Sequence, residues 1–336
     1  MVTQTTMPGA SDQPKLSIII VAWNIRDVLR DCLQSVFKDD LGVSNEVIVF
    51  DNGSADGTPE MIATEFPLVR LIRNPDNLGF AKGNNQAMKV ARGEYFLLLN
   101  SDTVIIDSSV FRPWVAFMDV RRDVGMSGCQ LLFPDRSHQV GDAGYRPAPG
   151  VVVAHNFFLP RLFPKIFKGL FVSFSRPPGR IEVDWITGAD VLVRRSILPQ
   201  VGLLDETIFI YAEDIEWGCR VRAFGHKVCY LSDLEIVHLQ GATTGKYPEK
   251  FSGMDARNLR QLYHALNPRR SMLFYDLVMS AGFLARCALY SIMLWRPGEY
   301  RRARASRMYR YLRYSVASLG TPARAAPGAA APADGA

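Results

Sequence analysis

Through its first hundred residues the chain alternates short unbroken apolar runs with longer stretches of helical spacing. Leu16–Ala22 is apolar almost throughout and rich in β-branched residues, the pattern of a strand buried on both faces of a parallel sheet. Residues 27–37 place Val28, Leu29, Leu33, Val36 and Phe37 on one stripe of a helix. A second buried strand is expected at 46–50, ended by Asp51. Thr58–Glu65 opens with Thr, Pro and Glu, a favourable helix start. A third strand is expected at 69–72, a helix at 81–91 and a fourth strand at Tyr95–Leu99. This order predicts an α/β fold: a Rossmann-like, mainly parallel sheet flanked by helices, with right-handed crossovers.

In such sheets ligands bind beyond the carboxyl ends of the strands. Three polar segments fall there: Trp23-Asn24 after the first strand, Asp51-Asn52-Gly53 after the second and Asn100-Ser101-Asp102 after the fourth. Three in succession argue for a site rather than for three turns. No GxGxxG follows the first strand, where Asn24 and Arg26 occupy the turn, which disfavours a dinucleotide-dependent oxidoreductase.

The middle, roughly 127–181, is rich in Gly, Pro and aromatics, lacks clear periodicity and is expected to contain loops. Residues 182–193 then read as strand–turn–strand, 213–224 as a helix, and 226–231 and 235–238 as short strands. From 255 onward the spacing is helical. The expected organisation is a leader over 1–14, an α/β domain over 15–250, a helical basic region over 251–318, and a low-complexity Ala/Pro/Gly tail over 319–336. Leader and tail are expected to be disordered.

Charge sharpens the reading of the last third. The chain carries +6 overall, yet between Arg257 and Arg313 twelve arginines face only Asp276 and Glu299, a local +10 on a body of −4. Such a region seeks an anionic surface. No nucleic-acid-binding motif accompanies it, so nucleic acid is not expected as a partner. Residues 277–295 are largely apolar and long enough to span a bilayer. Arg286 near the middle would cost about 2.5–3.5 kcal/mol there, and arginines flank the run on both sides, against the positive-inside rule. A helix or helical hairpin lying on the inner face of the cell membrane satisfies both flanks. A soluble helical subdomain or a homodimer face is the alternative. The five cysteines are odd in number and lack CxxC spacing, which fits a reducing cytoplasm.

The segments VAWN (21–24), VFDNGSADGT (49–58), NLGFAKGNNQAM (77–88), LLLNSDT (97–103), WITGADVLVRR (185–195) and DETIFIYAEDIEWGCRVRAFGHKV (205–228) together resemble glycosyltransferase family 2, most closely its rhamnosyltransferase-like branch. The resemblance runs from about residue 16 to 245. It implies a GT-A fold and inverting sugar transfer from a nucleotide-sugar. L-rhamnose from dTDP-rhamnose is the expected donor, though a UDP-sugar fits too, and a lipid-linked or polysaccharide hydroxyl in cell-envelope glycan synthesis is the expected acceptor. Galactofuranose or N-acetylhexosamine transfer, or nucleotide-sugar binding without turnover, are the competing readings.

The resemblance assigns roles residue by residue. Asp51 matches the nucleobase aspartate, although Asp-Asn-Gly is turn chemistry in its own right. Ala22, Trp23, Asn24, Asn77, Gly79, Lys82 and Asn84 match the donor pocket, with Lys82 equally readable as a solvated helix charge. Asn100-Ser101-Asp102 matches a metal motif that is often Asp-x-Asp. Here Asn stands first, so Asp102 is the strong ligand, with a helix cap as its alternative. His238 matches a metal-ligating histidine, against the alternative of a structural residue. Together they imply Mn²⁺ or Mg²⁺, with an imidazole tilting towards Mn²⁺. Trp185, Gly188, Ala189 and Asp190 match the acceptor or donor-sugar wall. Asp214 matches the general base, with Glu213 supporting it; the alternative is that both only complement a helix dipole.

Overall fold

The computed structural model describes residues 13–172, 179–241, 245–246, 253–293 and 299–322, without the side chains of 290–293 and 299–305. Most of the expected leader and tail, the end of the apolar run at Trp295, and the side chains of Arg301, Arg302 and Arg304 therefore lie outside the described residues.

The first half follows the expected alternation: β1 (Leu16–Ala22), α1 (Arg26–Phe37), β2 (Asn45–Asn52), α2 (Thr58–Glu65), β3 (Arg70–Asn74), α3 (Phe80–Met88) and β4 (Tyr95–Leu99). β1 pairs in parallel with β2 on one side and β4 on the other, and β2 with β3. Their carboxyl ends therefore share one edge, with Ala22 in register with Asp51.

The second half adds β5 (Thr103–Val104), α4 (Phe111–Val120), β6 (Val124–Leu132), β7 (Ala143–Gly144), α5 (Pro149–Asn156), α6 (Leu159–Leu162), β8 (Arg180–Val183), β9 (Trp185–Ile186), β10 (Asp190–Arg194), α7 (Leu198–Val201), α8 (Glu213–Ala223) and β11 (Lys227–His238). The nine-stranded sheet runs β3-β2-β1-β4-β10-β6-β11-β5, with β8 on β11. β10 lies antiparallel between β4 and β6, whereas β6 and β11 are parallel.

Three findings differ from expectation. β6 lies inside the stretch read as loops and is buried at every position. Its Gly, Ser, Cys and Gln give no alternation because both faces are covered. The two short strands at 226–231 and 235–238 are one strand, β11, with an irregularity between Leu231 and Glu235. The strand–turn–strand at 182–193 is three short strands, two of them in different sheets.

Each face of the sheet carries its own apolar core. One packs α1 and α4, with Leu29, Leu33, Phe111 and Trp114. The other packs α3 and α8, with Ala81, Ala87, Trp217 and Val221. A third core joins α5 to the C-terminal helices α9 (Met254–Leu266), α10 (Met272–Met293) and α11 (Glu299–Ala317), through Val152, Tyr263, Tyr275, Met279 and Phe283. Both charged residues in the described part of α10 are tied to the protein. Asp276 is paired with Arg260 of α9 at 2.7 and 2.8 Å, both side chains being buried. Arg286 donates to the carbonyls of His155 and Asn156, which satisfies the open end of α5, and lies over the Phe158 ring. α10 is thus the one described helix long and apolar enough to cross a membrane, yet its two charges bind it to the body. Its outward stripe, Leu273, Phe274, Leu277, Leu284 and Leu289, is exposed.

Candidate active site

The polar strand ends open into a cavity of about 560 Å³. Register assembles the corner that holds Asp102 and His238. β11 pairs antiparallel with β5, His238 opposite Thr103, so the ring of His238 arrives beside Asp102. Its Nε2 lies 3.1 Å from Asp102 Oδ1 and 3.3 Å from the Asn100 amide nitrogen. The other ring nitrogen, Nδ1, lies 2.6 Å from Gln139 Oε1, while the Gln139 amide donates to the His238 carbonyl at 3.2 Å. That second bond fixes which end of the amide faces the ring, so Nδ1–H is the donor and Nε2 is the ring atom turned to Asp102. Nε2 and a carboxylate oxygen at this separation can share a proton or a cation. A buried carboxylate and an oriented imidazole are ligand types that suit a hard or borderline divalent ion. Among the described residues no third acid, His or Cys joins them. Gln139 was not legible in the sequence, because its role depends on a contact 99 residues away.

The opposite wall carries the two acids. Tyr211 and Ala212 both take left-handed backbone, φ +68° and +76°, immediately before α8 begins at Glu213. Non-glycine residues resist that conformation, so neighbours must hold the turn. Asn258 of α9 donates to the carbonyls of Ile210 and Tyr211, and Phe80 donates its backbone N–H to Phe209. Gly79 lies so close that a Cβ would meet the Phe209 carbonyl oxygen at 2.6 Å, at a φ of +86°. Glycine is the residue that fits there.

The turn places both acids on the cavity lining, Glu213 buried and Asp214 half-buried. Asp214 Oδ2 accepts from the Gly188 N–H at 3.1 Å and Oδ1 from its own helix at Ile215, 2.8 Å. Burial raises its pKa, and these backbone donors hold the anion against that rise. Glu213 is buried with Oε2 unpartnered. Burial first, and then the charge of Asp214, push its carboxyl well above the ordinary range. The pair therefore shares protons unequally: Glu213 keeps its proton over a range where Asp214 has lost its own.

The strand-end pocket of this sheet agrees with the family and fold that the comparisons find. Residues 17–139 match the model of glycosyl transferase family 2. The chain carries a glycosyl transferase family 2 domain. It is 29% identical over 238 residues to the O-antigen biosynthesis protein RfbC of Myxococcus xanthus, a match covering 68% of this chain and 18% of that protein. The chain thus spans a minor part of that relative. It is 28% identical over 227 residues to an N-acetylglucosaminyl-diphospho-decaprenol L-rhamnosyltransferase of Mycobacterium tuberculosis, covering 60% of this chain and 69% of the relative. A mannosyltransferase from Pyrobaculum calidifontis, solved with GDP-Man and Mn²⁺, superposes with a TM-score of 0.58 at 16% identity over 94% of this chain and 89% of that one. The fold is GT-A.

Of the expected site residues, Trp23, Asn77, Gly79, Asn100, Ser101 and Asp102, within the matched segment, and Gly188, Ala189, Glu213, Asp214 and His238, beyond it, all line the cavity. Seven other expected residues do not. Ala22 is buried in the sheet, and Val21 lines the cavity instead. Asn24 spends its side-chain oxygen on Ala55 N–H, bracing the 53–57 loop. Asp51 is buried behind Asn52, accepts from Ser54, and keeps Oδ1 unpartnered. Asn84 donates back to Phe80 within its own helix, and Lys82 lies off the lining. Trp185 and Asp190 are fully interior: Trp185 stacks edge-on with Phe171, and Asp190 accepts from Cys129 N–H. Their wall role passes to the Gly188-Ala189 backbone between them.

The cavity also has a side that the sequence reading did not anticipate. Tyr211, Asp255, Arg307, Arg310 and Tyr311 line it, four of them from the C-terminal helices. Only the basic, helical character of that region was legible, not the groove it faces.

Proposed function

We propose that the protein is an inverting, metal-dependent glycosyltransferase of cell-envelope glycan synthesis, moving L-rhamnose from dTDP-rhamnose to a hydroxyl of a lipid-linked acceptor. The observation that carries this reading is the meeting, in one cavity, of the Asp102–His238 pair and an Asp214 whose anion is held by Gly188 N–H. The relative named as a rhamnosyltransferase acting on a diphospho-lipid sugar supports the choice of donor and acceptor.

An alcohol is a poor nucleophile until its proton leaves. Asp214 takes that proton as the hydroxyl oxygen attacks the anomeric carbon. The bond from that carbon to the diphosphate oxygen breaks on the opposite face, and the configuration inverts through an oxocarbenium-like state. Glu213, protonated behind it, adds no second charge to the acceptor side. Mn²⁺ or Mg²⁺ bound by Asp102 and His238 would supply charge neutralisation to the leaving nucleoside diphosphate. Asn52, Asn77 and Trp23 form the nucleoside wall, braced by the Asn52 side-chain bonds to Asn77 and Leu78.

The protein works on the cytoplasmic face of the cell membrane as a peripheral enzyme. Supporting this, besides the exposed apolar stripe of α10 there is a second exposed stretch, 161–168, where Leu162, Phe163, Ile166 and Phe167 interleave with Arg161, Lys165 and Lys168. Apolar side chains among cations suit an interface of anionic headgroups.

Titration of a donor panel by calorimetry tests the reading. dTDP-rhamnose with Mn²⁺ should bind and turn over with a diphospho-lipid acceptor, and Asp102→Ala should abolish the metal dependence. Unchanged metal dependence would remove the cation from Asp102. Donor binding without turnover on any acceptor would favour a sugar-nucleotide-binding protein.

A further inference from the structure

Arg307 and Arg310 stand three residues apart on α11, so both present to the same side of that helix, and both line the catalytic cavity. Their surroundings leave their charge available. Asp255, the nearby acid in the same lining, is already engaged: Oδ2 accepts from the Tyr311 hydroxyl and Oδ1 from Ala256 N–H. Arg310 donates to the neutral Ser306 hydroxyl at 2.9 Å. Among the described residues neither arginine has a carboxylate within ion-pair distance. Two guanidinium groups directed at a substrate cavity and not neutralised there suit a phosphate or diphosphate.

Their position decides which anion. A chain of contacts leads from Asp214 through the Tyr211 turn to Asn258 and Asp255 of α9, and from Asp255 to Tyr311 of α11. The arginines thus belong to the base side of the cavity, whereas the Asp102–His238 corner is built by β5 and β11. The donor diphosphate has its counter-charge at that corner. A second positive centre beside the base matches a second anion, carried by the acceptor. α11 packs along α10, whose outward stripe is apolar. A sugar hydroxyl at Asp214 and a diphosphate at the arginines would share the base side of the cavity.

We propose that Arg307 and Arg310 form an acceptor-anion subsite that selects a sugar linked to lipid through a diphosphate. This rests on the proposed transfer reaction and names the acceptor class of the same site.

The test uses the full chain and water-soluble acceptors bearing one sugar on a short prenyl diphosphate or on an alkyl glycoside of similar length. For the wild type, kcat/KM should favour the diphosphate acceptor. In Arg307→Gln/Arg310→Gln that preference should fall about 10- to 100-fold, mostly through KM, the size expected for lost charge-assisted hydrogen bonds. Nucleoside diphosphate affinity, measured by calorimetry with Mn²⁺, should be retained. Weakened nucleotide binding would reassign the arginines to the donor. Equal loss on both acceptors, or loss of binding to phosphatidylglycerol vesicles with the acceptor preference intact, would also overturn the subsite. Direct titration with the short prenyl diphosphate in chelator separates this from the reaction itself. Binding that disappears in the double variant upholds the subsite even if no transfer is seen, and no binding by the wild type overturns it.

Discussion

The two sides of the cavity are built by different physics. In terms of the proposed reaction, the donor side is a set of strand ends. Backbone hydrogen bonding fixes β1, β2 and β4 side by side, so the residues that follow them must meet at one edge. The acceptor side is a strained turn at 209–212 clasped by helices, and it exists only if α9, α10 and α11 dock where they do. Sheet register is specified many times over by local pattern. Helix docking rests on the third apolar core and on a few contacts far apart in the chain, such as Asn258 to the 210–211 turn and Arg286 to α5, with the buried Arg260–Asp276 pair tying α9 to α10. The donor side should therefore tolerate damage to the C-terminal helices, and the acceptor side should not.

The largest effect expected falls on the acceptor side. Asp214→Asn keeps the shape and the Gly188 contact but cannot take a proton. Turnover should drop about 10²–10⁴-fold with donor affinity retained, the mark of an interaction made in the transition state. The pH profile sharpens this. Transfer needs ionised Asp214, whose pKa burial raises. Activity should therefore climb with pH through a value above that of an ordinary aspartate, and decline below it. Near-normal transfer by Asp214→Asn together with loss in Glu213→Gln would exchange the two roles.

Next in size is the clasp. Arg260→Met leaves Asp276, 1% exposed, as an unpaired buried charge, at a cost of about 3–5 kcal/mol. Hydrogen exchange should show α9–α11 and the 209–212 turn opening together, while nucleotide still raises the thermal midpoint through the donor side. Arg260→Met with Asp276→Leu should recover most of the loss. If the single variant loses nucleotide binding as completely as it loses transfer, the two sides are not independent and the comparison fails.

The same contrast explains what was legible in the sequence. The strands and helices through Leu99 follow from apolar runs and spacing, and the cavity-lining Asn100-Ser101-Asp102 and Glu213-Asp214 stand where strand ends and a helix start put them. β6 escaped because a strand covered on both faces has no polar phase, and its small residues make it look like loop. Asp51, Trp185 and Asp190 have the expected chemistry in the expected segments, but their side chains turn inward: Asp51 ends an eight-residue strand whose last six positions are all buried, so no polar phase marks its direction, and alternation along the two- and five-residue strands of Trp185 and Asp190 is too short to fix theirs. Gln139 and Asn258 act through partners far along the chain, and Arg307 and Arg310 reach the cavity only because α11 docks there, so no local pattern could mark them. The apolar run at 277–295 was legible as apolar; that Asp276 and Arg286 are spent on the body, leaving one greasy face outward, was not.

That face supplies the smallest expected effect. Leu277 and Leu284 are 52% and 59% exposed and lie on the outward stripe of α10. Glutamate there should change folding stability little, within about 0.5 kcal/mol for exposed positions. Removal of either leucine from a lipid interface forfeits part of the roughly 1.5–3 kcal/mol that full burial of such a side chain contributes. Leu277→Glu with Leu284→Glu should therefore weaken sedimentation with anionic vesicles several-fold while sparing transfer to soluble acceptors. Lys165→Glu in the 161–168 stretch should weaken it less, by about 1 kcal/mol, and more at low salt than at high, because headgroup attraction fades within a Debye length whereas apolar insertion does not. Point changes are the right probe, since cutting the chain before α9 would also release Asn258 from the turn beside the base. Equal vesicle binding by the wild type and the leucine variants would detach α10 from the membrane, and the apolar stripe would then need a protein partner, with a second copy of the chain the first to test by sedimentation.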